Sequence, residues 1–342
     1  MTAFIVRRLL LLPLVGLGVT ALIFGLLQLL SPEMRASLYV TDPRQLRAMD
    51  AIIRLHGLDQ PIHIQYVRWL GQVFQGNLGW SETAKLPVAR AIGTFFPATL
   101  ELTLFAVVPI IVLGVWLGTI SAVHRDRVID HLSRFFSIGG QSMPTFVRGL
   151  LLLMLFYGAW QIFPPGRLSL NANLTVLDPE KFRSYTRLVT VDALLNRQFW
   201  IFLDALRHLA LPVLTLSLVS AATLVRVTRS SMLETLRQDY VRTARAKGLE
   251  EPHVVNKHAR KNALIPVVTL SALQFVALLN GVLITETVFA YPGIGFWGGR
   301  AALQLDAAAV AGFALFNALL LVVGNLTADI LYALIDPRIR LR

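Results

Sequence analysis

The sequence has no cysteine, which excludes disulfides, thiolate nucleophiles and cysteine-ligated metal sites and leaves no redox compartment to be read. Seven histidines keep only histidine and carboxylate sites formally open. Charge is scarce too: 15% of the 342 residues are charged and 55% are hydrophobic, with a mean hydropathy of +0.61. Soluble domains carry about 25% charged residues, so this composition belongs in a bilayer. Three catalytic signatures are missing as well. There is no Gly-x-x-x-x-Gly-Lys-[Ser/Thr] phosphate loop, so the chain cannot cradle a nucleotide in the usual manner. There is no His-Glu-x-x-His zinc motif and no Gly-x-Ser-x-Gly nucleophile elbow, which argues against an embedded enzyme.

What is present is long apolar runs. A hydrocarbon core takes about 20 residues of helix, and backbone groups in lipid must bond within the segment. Six stretches meet that length: 9–30, 98–122, 138–163, 207–228, 264–289 and 307–335. The expectation is an all-α polytopic membrane protein of six transmembrane helices. The first stretch follows Arg7 and Arg8, exceeds a signal-peptide core and lacks a small-x-small cleavage site, so it reads as a retained helix.

The net charge of +12 does not point to nucleic acid, because lysine and arginine sit between apolar runs rather than on a basic stripe interleaved with aromatics. They sort by side instead. Segments 1–8, 123–137, 229–263 and 336–342 have more than twice the lysine and arginine density of 31–97, 164–206 and 290–306. The positive-inside rule places the first set, with both termini, in the cytoplasm. The chain then divides into an N-terminal helix (1–30), an extracytoplasmic loop or subdomain (31–97), a five-helix core (98–335) and a short cytoplasmic tail (336–342). The outer loop contains an amphipathic stretch from Ile62 to Phe74 and turn glycines Gly57, Gly71, Gly76 and Gly79, enough for a small helical subdomain. Its Trp69 and Trp80 suit either the membrane interface or loop packing.

The cytoplasmic segment 229–263 is polar yet patterned. Leu233, Leu236, Tyr240, Val241 and Ala244 recur near helical spacing, Gly248 suits a left-handed helix end, and Pro252 suits the first turn of another helix. The expected unit is helix, glycine hinge and second short helix. With Ala244 and Ala246 flanked by Arg242, Arg245 and Lys247, it could dock into another protein's groove. The plainer reading is a solvated basic loop that only orients the chain.

The segment resembles the cytoplasmic coupling loop of the ABC importer permeases of the dipeptide, oligopeptide and nickel branch. The resemblance extends over nearly the whole chain: Met1 to Leu12, His56-Gly-Leu-Asp-Gln-Pro61, Gly76-Asn-Leu-Gly79, Pro97-Ala-Thr-Leu-Glu-Leu102, Arg229-Ser-Ser-Met-Leu-Glu234, Asp239-Tyr-Val-Arg-Thr-Ala-Arg-Ala-Lys-Gly-Leu249, Thr285 to Gly295 and Asp336-Pro-Arg-Ile-Arg340. It implies a type I ABC importer permease fold and no enzymatic activity or cofactor in this chain. It further implies a second homologous permease, two cytoplasmic ATP-binding subunits and an extracytoplasmic solute-binding protein, with di- or oligopeptides as solute and nickel or glutathione-like molecules as alternatives. The implied ATPase-coupling residues are Tyr240, Arg242, Thr243, Ala244, Arg245, Ala246, Lys247, Gly248, Leu249, Glu250 and Glu251. The chain departs from the pattern in three places. Arg242-Thr-Ala244 stands for Glu-Ala-Ala, Lys261 takes the place of the usual proline, and Gly298 to Asp306 is poorer in charge than usual.

Charges within or beside the spans admit two roles each. Arg207 and Arg226 are placed to snorkel, and Glu101 and Glu286 lie towards the outer face, where anchoring or pairing competes with substrate contact. Asp329 either pairs with an arginine or caps packing. Arg148, one turn after Pro144, either faces a polar translocation path or stabilises the kink at that proline. Arg148 and Glu286 are thus the candidate path residues. Gly114 and Gly118 have the spacing for close helix contact. The competing function is an ion-coupled secondary transporter with Glu286 or Asp329 in a proton relay.

Overall fold

The computed structural model describes residues 2–40, 42, 44 and 49–335, with side chains from 13 up to 327 among them, Met49 excepted. Arg7, Arg8, Asp329 and the Asp336 to Arg340 motif therefore fall outside what is described of side chains or backbone.

Helix α1 (Thr2–Leu27) leads into a small subdomain of short helices. There the chain forms α2 (Pro32–Ala36), a 3-10 turn (Ser37–Tyr39), α3 (Met49–His56) and α4 (Ile62–Phe74), whose bounds match the amphipathic stretch seen in sequence. A two-stranded antiparallel pair, β1 (Trp80–Ser81) with β2 (Leu86–Pro87), closes it. Trp69 is buried here and lies 5.5 Å from the Phe24 ring of α1, so it serves loop packing.

The bundle is built on α5 (Val88–Val123) and α10 (Phe199–Thr235), the two longest helices described. They approach closely because Gly114 and Gly118 of α5 face Leu224 and Thr228 of α10; a Cβ on Gly118 would lie 2.8 Å from the Val225 carbonyl. Ala98, Leu102, Ala106 and Ile110 of α5 share a core with Leu209, Leu216 and Leu224 of α10. Val108, Val112 and Trp116 on the opposite side of α5 are exposed, as helices solvated by acyl chains require.

The expected straight span 138–163 is instead a bent pair. Helix α6 (Val128–Ser142) starts inside the segment assigned to a cytoplasmic loop, and α7 (Thr145–Leu153) with its π turn (Met154–Ala159) leaves it at 101°. The cause is Pro144, which cannot donate and pushes Met143 into the extended region at φ −104°. After this bent pair follow α8 (Leu170–Leu177) and α9 (Val189–Leu195), packed on the start of α10 around Phe182 and Ile201.

After α10 come α11 (Asp239–Ala246), α12 (Glu251–His253), a π turn (Val254–Ala259), α13 (Arg260–Ala263) and α14 (Ile265–Leu279). The expected span 264–289 ends early. Gly281, at φ +95° against Gly295, breaks it, and α15 (Leu283–Val288) and α16 (Ile294–Leu303) pack separately before α17 (Ala307–Ile335). Among the described residues, three helices are long and apolar enough to cross a bilayer, or up to five if each bent pair counts as one span.

Candidate functional site

The polar segment after α10 folds back on itself as a hairpin. At the end of α11 the Gly248 N–H donates to the Arg245 carbonyl at 2.9 Å and the Leu249 N–H to the Ala244 carbonyl at 3.4 Å. This is the paired closure of a Schellman motif, with Gly248 at φ +76° in the left-handed position. Glu250 then opens the second arm, with Pro252 in its first turn, where a missing N–H costs nothing. The second arm is longer than the short helix expected, because the π turn lets it run unbroken from Glu251 to Ala263.

The arms hold together through an apolar seam of Val241, Ala244, Val254, Val255, Ala259 and Ala263. Met232 of α10 and Ala122 at the end of α5 belong to the same cluster, so the hairpin is seated on the ends of the two principal helices. Across the hinge, Arg245 donates to both Glu251 oxygens at 3.0 and 2.6 Å, and the Asn262 amide donates to the Tyr240 hydroxyl at 3.0 Å. The carboxylate raises the pKa of Arg245. Two features of the hairpin bear on the candidate coupling residues. Ala244 is buried in the hairpin's own seam, and Arg245 and Glu251 engage each other. The exposed rim is Tyr240, Arg242, Thr243, Arg245, Ala246, Lys247, Gly248, Leu249, Glu250 and Glu251.

One further cluster fastens the stem of this hairpin. Asp130 of α6 is fully buried and accepts from Arg229 Nε and Nη2 at 2.6 and 2.8 Å, from the Ser121 hydroxyl at 2.6 Å and from the Asp126 N–H at 3.0 Å. The end of α5, the start of α6 and the α10 turn preceding the hairpin are thereby joined. Asp130 went unnoticed in sequence because it lies among Arg125, Arg127 and Arg134 and its partner Arg229 is distant in the chain.

Arg148 and Glu286 lie in separate clusters and share no hydrogen bond. Arg148 is buried at the start of α7, and its Nη2 donates to the Gly140 and Met143 carbonyls at 2.7 and 2.9 Å. These are carbonyls released by the bend, so the contacts suit stabilisation of the kink. Glu286, fully buried on α15, accepts from the Thr99 hydroxyl at 2.6 Å and the Phe296 N–H at 2.7 Å. Thr99 in turn accepts from the Ile294 N–H at 2.8 Å. The motif Thr285 to Gly295 is therefore pinned to α5, and Gly293 and Gly295 leave room for the Glu286 carboxylate.

Glu101, two residues further along α5, gathers a second set of contacts. It accepts from Arg167 Nη2 at 2.8 Å, from the Thr190 N–H and hydroxyl at 2.7 Å each, and from the Tyr291 hydroxyl at 3.3 Å. Burial draws the Arg167 pKa down, but the Glu101 carboxylate outweighs it and the net shift is upward. The bundle of apolar helices thus has loops tied to one end of α5 and a polar hairpin seated at the other end of that same helix.

Comparison with known proteins gives this architecture its class. Residues 110–341 match the family described as binding-protein-dependent transport system inner membrane component, and residues 1–103 match that system's N-terminal membrane component. The chain belongs to this family. It is a membrane permease component of an ABC importer, and ATP hydrolysis is the work of other subunits. The chain is 44% identical over 344 residues, 99% of each chain, to the di/tripeptide transport system permease protein DppB of Pseudomonas aeruginosa (strain UCBPP-PA14). It is 44% identical over 307 residues, 87% of this chain and 88% of the other, to the probable D,D-dipeptide transport system permease protein DdpB of Escherichia coli (strain K12). It is 36% identical over 99% of each chain to the oligopeptide transport system permease protein AppB of Bacillus subtilis (strain 168).

Proposed function

We propose that this permease passes di- or oligopeptides through the cytoplasmic membrane, forming half of the path with a second homologous permease. The observation that carries the substrate class is the 44% identity, over 99% of both chains, to a permease named for di- and tripeptides. An extracytoplasmic binding protein delivers the solute, both termini are cytoplasmic, and two ATP-binding subunits drive the cycle. Each ATP-binding subunit grips one permease at its hairpin, here through the exposed rim from Tyr240 to Glu250. The basic side chains Arg242 and Lys247 on that rim meet an acidic surface. Arg242, where relatives of the resemblance have glutamate, reverses the sign of one contact. Closure of the ATPases on nucleotide moves the hairpins as rigid units, because the seam and the Arg245–Glu251 pair hold the arms together, and the helices seated on them change access to the path.

Glu286 and Arg148 fit this reading as braces. They hold the α15 turn and the α6–α7 bend in the shape that the moving helices require, rather than contacting solute. The test of the substrate is uptake of a labelled dipeptide and of labelled nickel in cells with and without the gene, with and without ATP depletion. ATP-dependent loss of dipeptide uptake alone is the expected result. Loss of nickel uptake alone contradicts the peptide assignment, and gene-dependent uptake that survives ATP depletion favours the ion-coupled alternative.

A further inference from the structure

Between the outer end of α5 and the loop joining α8 to α9 lies a cavity of about 410 Å³, within the range of roughly 300–1,000 Å³ common for small-molecule sites. Its floor is apolar, formed by the buried Phe182 and Val189 with Val176 and Leu86. Its rim has three arginines, Arg90, Arg167 and Arg187. These are not equivalent. Arg167 is neutralised by Glu101 at 2.8 Å. Arg187 reaches across the opening to donate from Nη1 to the Gly93 carbonyl at 2.9 Å, and Arg90 is exposed; neither guanidinium has a carboxylate partner among the described residues. The one acid in the lining, Asp192, is already occupied by the Ser184 and Thr186 hydroxyls and the Thr186 and Arg187 N–H groups.

Arg187 sits at φ +66°, a left-handed backbone that costs an arginine energy and is retained where surrounding contacts hold it. Gly93 gives it space: a Cβ there would stand 2.9 Å from the Arg187 Nη1. An apolar floor under two uncompensated guanidiniums suits a small amphipathic anion, with the carboxylate on the forked donors and a hydrophobic group below.

We propose that this cavity is a binding site for the C-terminal carboxylate of a short peptide, with Arg90 and Arg187 as its ligands and the Phe182 floor accepting the last side chain. The inference rests on the peptide reading of this permease and names a station on its outer side. The site lies over the Glu101, Arg167, Thr190 and Tyr291 network, so an anion bound there abuts the contacts that tie the outer loops to α5.

The test is isothermal titration of the purified full-length permease in nanodiscs with Ala-Phe and with its C-terminal amide, on wild type, Arg90→Gln and the control Arg300→Gln. Arg90 is exposed and makes no polar side-chain contact among the described residues, so its replacement leaves folding intact. The expected result is binding of Ala-Phe to wild type and to Arg300→Gln, weakened about tenfold or more by Arg90→Gln or by amidation, the loss of one charge-assisted contact. Equal binding of acid and amide, or of wild type and Arg90→Gln, overturns the site. So does displacement of Ala-Phe by an equal concentration of inorganic phosphate, which marks a general anion site. Failure of the permease to bind Ala-Phe while the assembled importer still transports it overturns this inference and leaves the peptide reading standing. Failure of transport itself removes the peptide reading.

Discussion

Glu286 shows how a buried carboxylate can brace the packing of a membrane protein. Its two oxygens satisfy the Thr99 hydroxyl and the Phe296 N–H, so Glu286→Ala leaves buried donors without acceptors at about 1–3 kcal/mol each. The thermal denaturation midpoint of the purified protein in detergent is expected to drop markedly, and an unchanged midpoint would show that the carboxylate braces nothing. Gly248 makes the opposite case, a residue whose neighbourhood is empty but whose backbone is demanding. A Cβ there meets nothing within 4 Å, yet φ is +76°, a conformation that costs a β-branched residue about 1–2 kcal/mol or more. Gly248→Val is expected to abolish uptake while membrane levels, read by immunoblot, stay normal. Gly248→Asn, tolerant of that backbone, is expected to retain most uptake. Normal uptake by the valine variant would refute coupling through this hinge. The hinge was legible because glycine, a helical pattern before it and proline after it are local signals. The partners of Glu286 were not, since Thr99 lies on a different helix and the sequence sets no register between the two.

At the scale of elements, the clamp between α6 and α10 and the pair across the hairpin make a contrast that can be measured. Asp130 is fully buried with Arg229 on it, and removing one partner of such a pair typically costs about 3–5 kcal/mol. Arg245 and Glu251 are both exposed, and exposed pairs contribute roughly 0–1 kcal/mol. Asp130→Ala is therefore expected to destabilise the protein in detergent and expose the α5–α6 corner to limited proteolysis, whereas Glu251→Ala leaves both almost unchanged. Equal effects would mean that the clamp is not the fastening it appears from its geometry. Helix α4 was readable from periodicity, and the long helices from their apolar runs. The 101° turn between α6 and α7 was not. Pro144 marked a kink, but the apolar residues before it, Leu132, Phe135 and Ile138, are exposed along α6 and blend into the same hydrophobic run as α7. The break at Gly281 hid for the same reason, since the run continues through it while the backbone does not.

At the scale of the whole molecule, helix α5 joins two sets of contacts at its opposite ends. The loops carrying Arg167 and Glu286 are tied to one end of α5 through Glu101 and Thr99, and Ala122 at the other end of α5 shares the hairpin's core with Met232 of α10. On the proposed coupling, a displacement of the hairpin reaches those loops through helix α5. That account depends on an ATP-binding subunit gripping the hairpin rim. The absence of cysteine makes this directly measurable, because Lys247→Cys introduces the chain's single thiol on the exposed rim and Val241→Cys introduces one in the buried seam. In membranes containing the assembled importer, a thiol-to-amine cross-linker should join the Lys247→Cys permease to an ATP-binding subunit, and the yield should change when nucleotide is added, while Val241→Cys stays unlinked. A Lys247→Cys permease that assembles and transports but never links to that subunit would contradict the account.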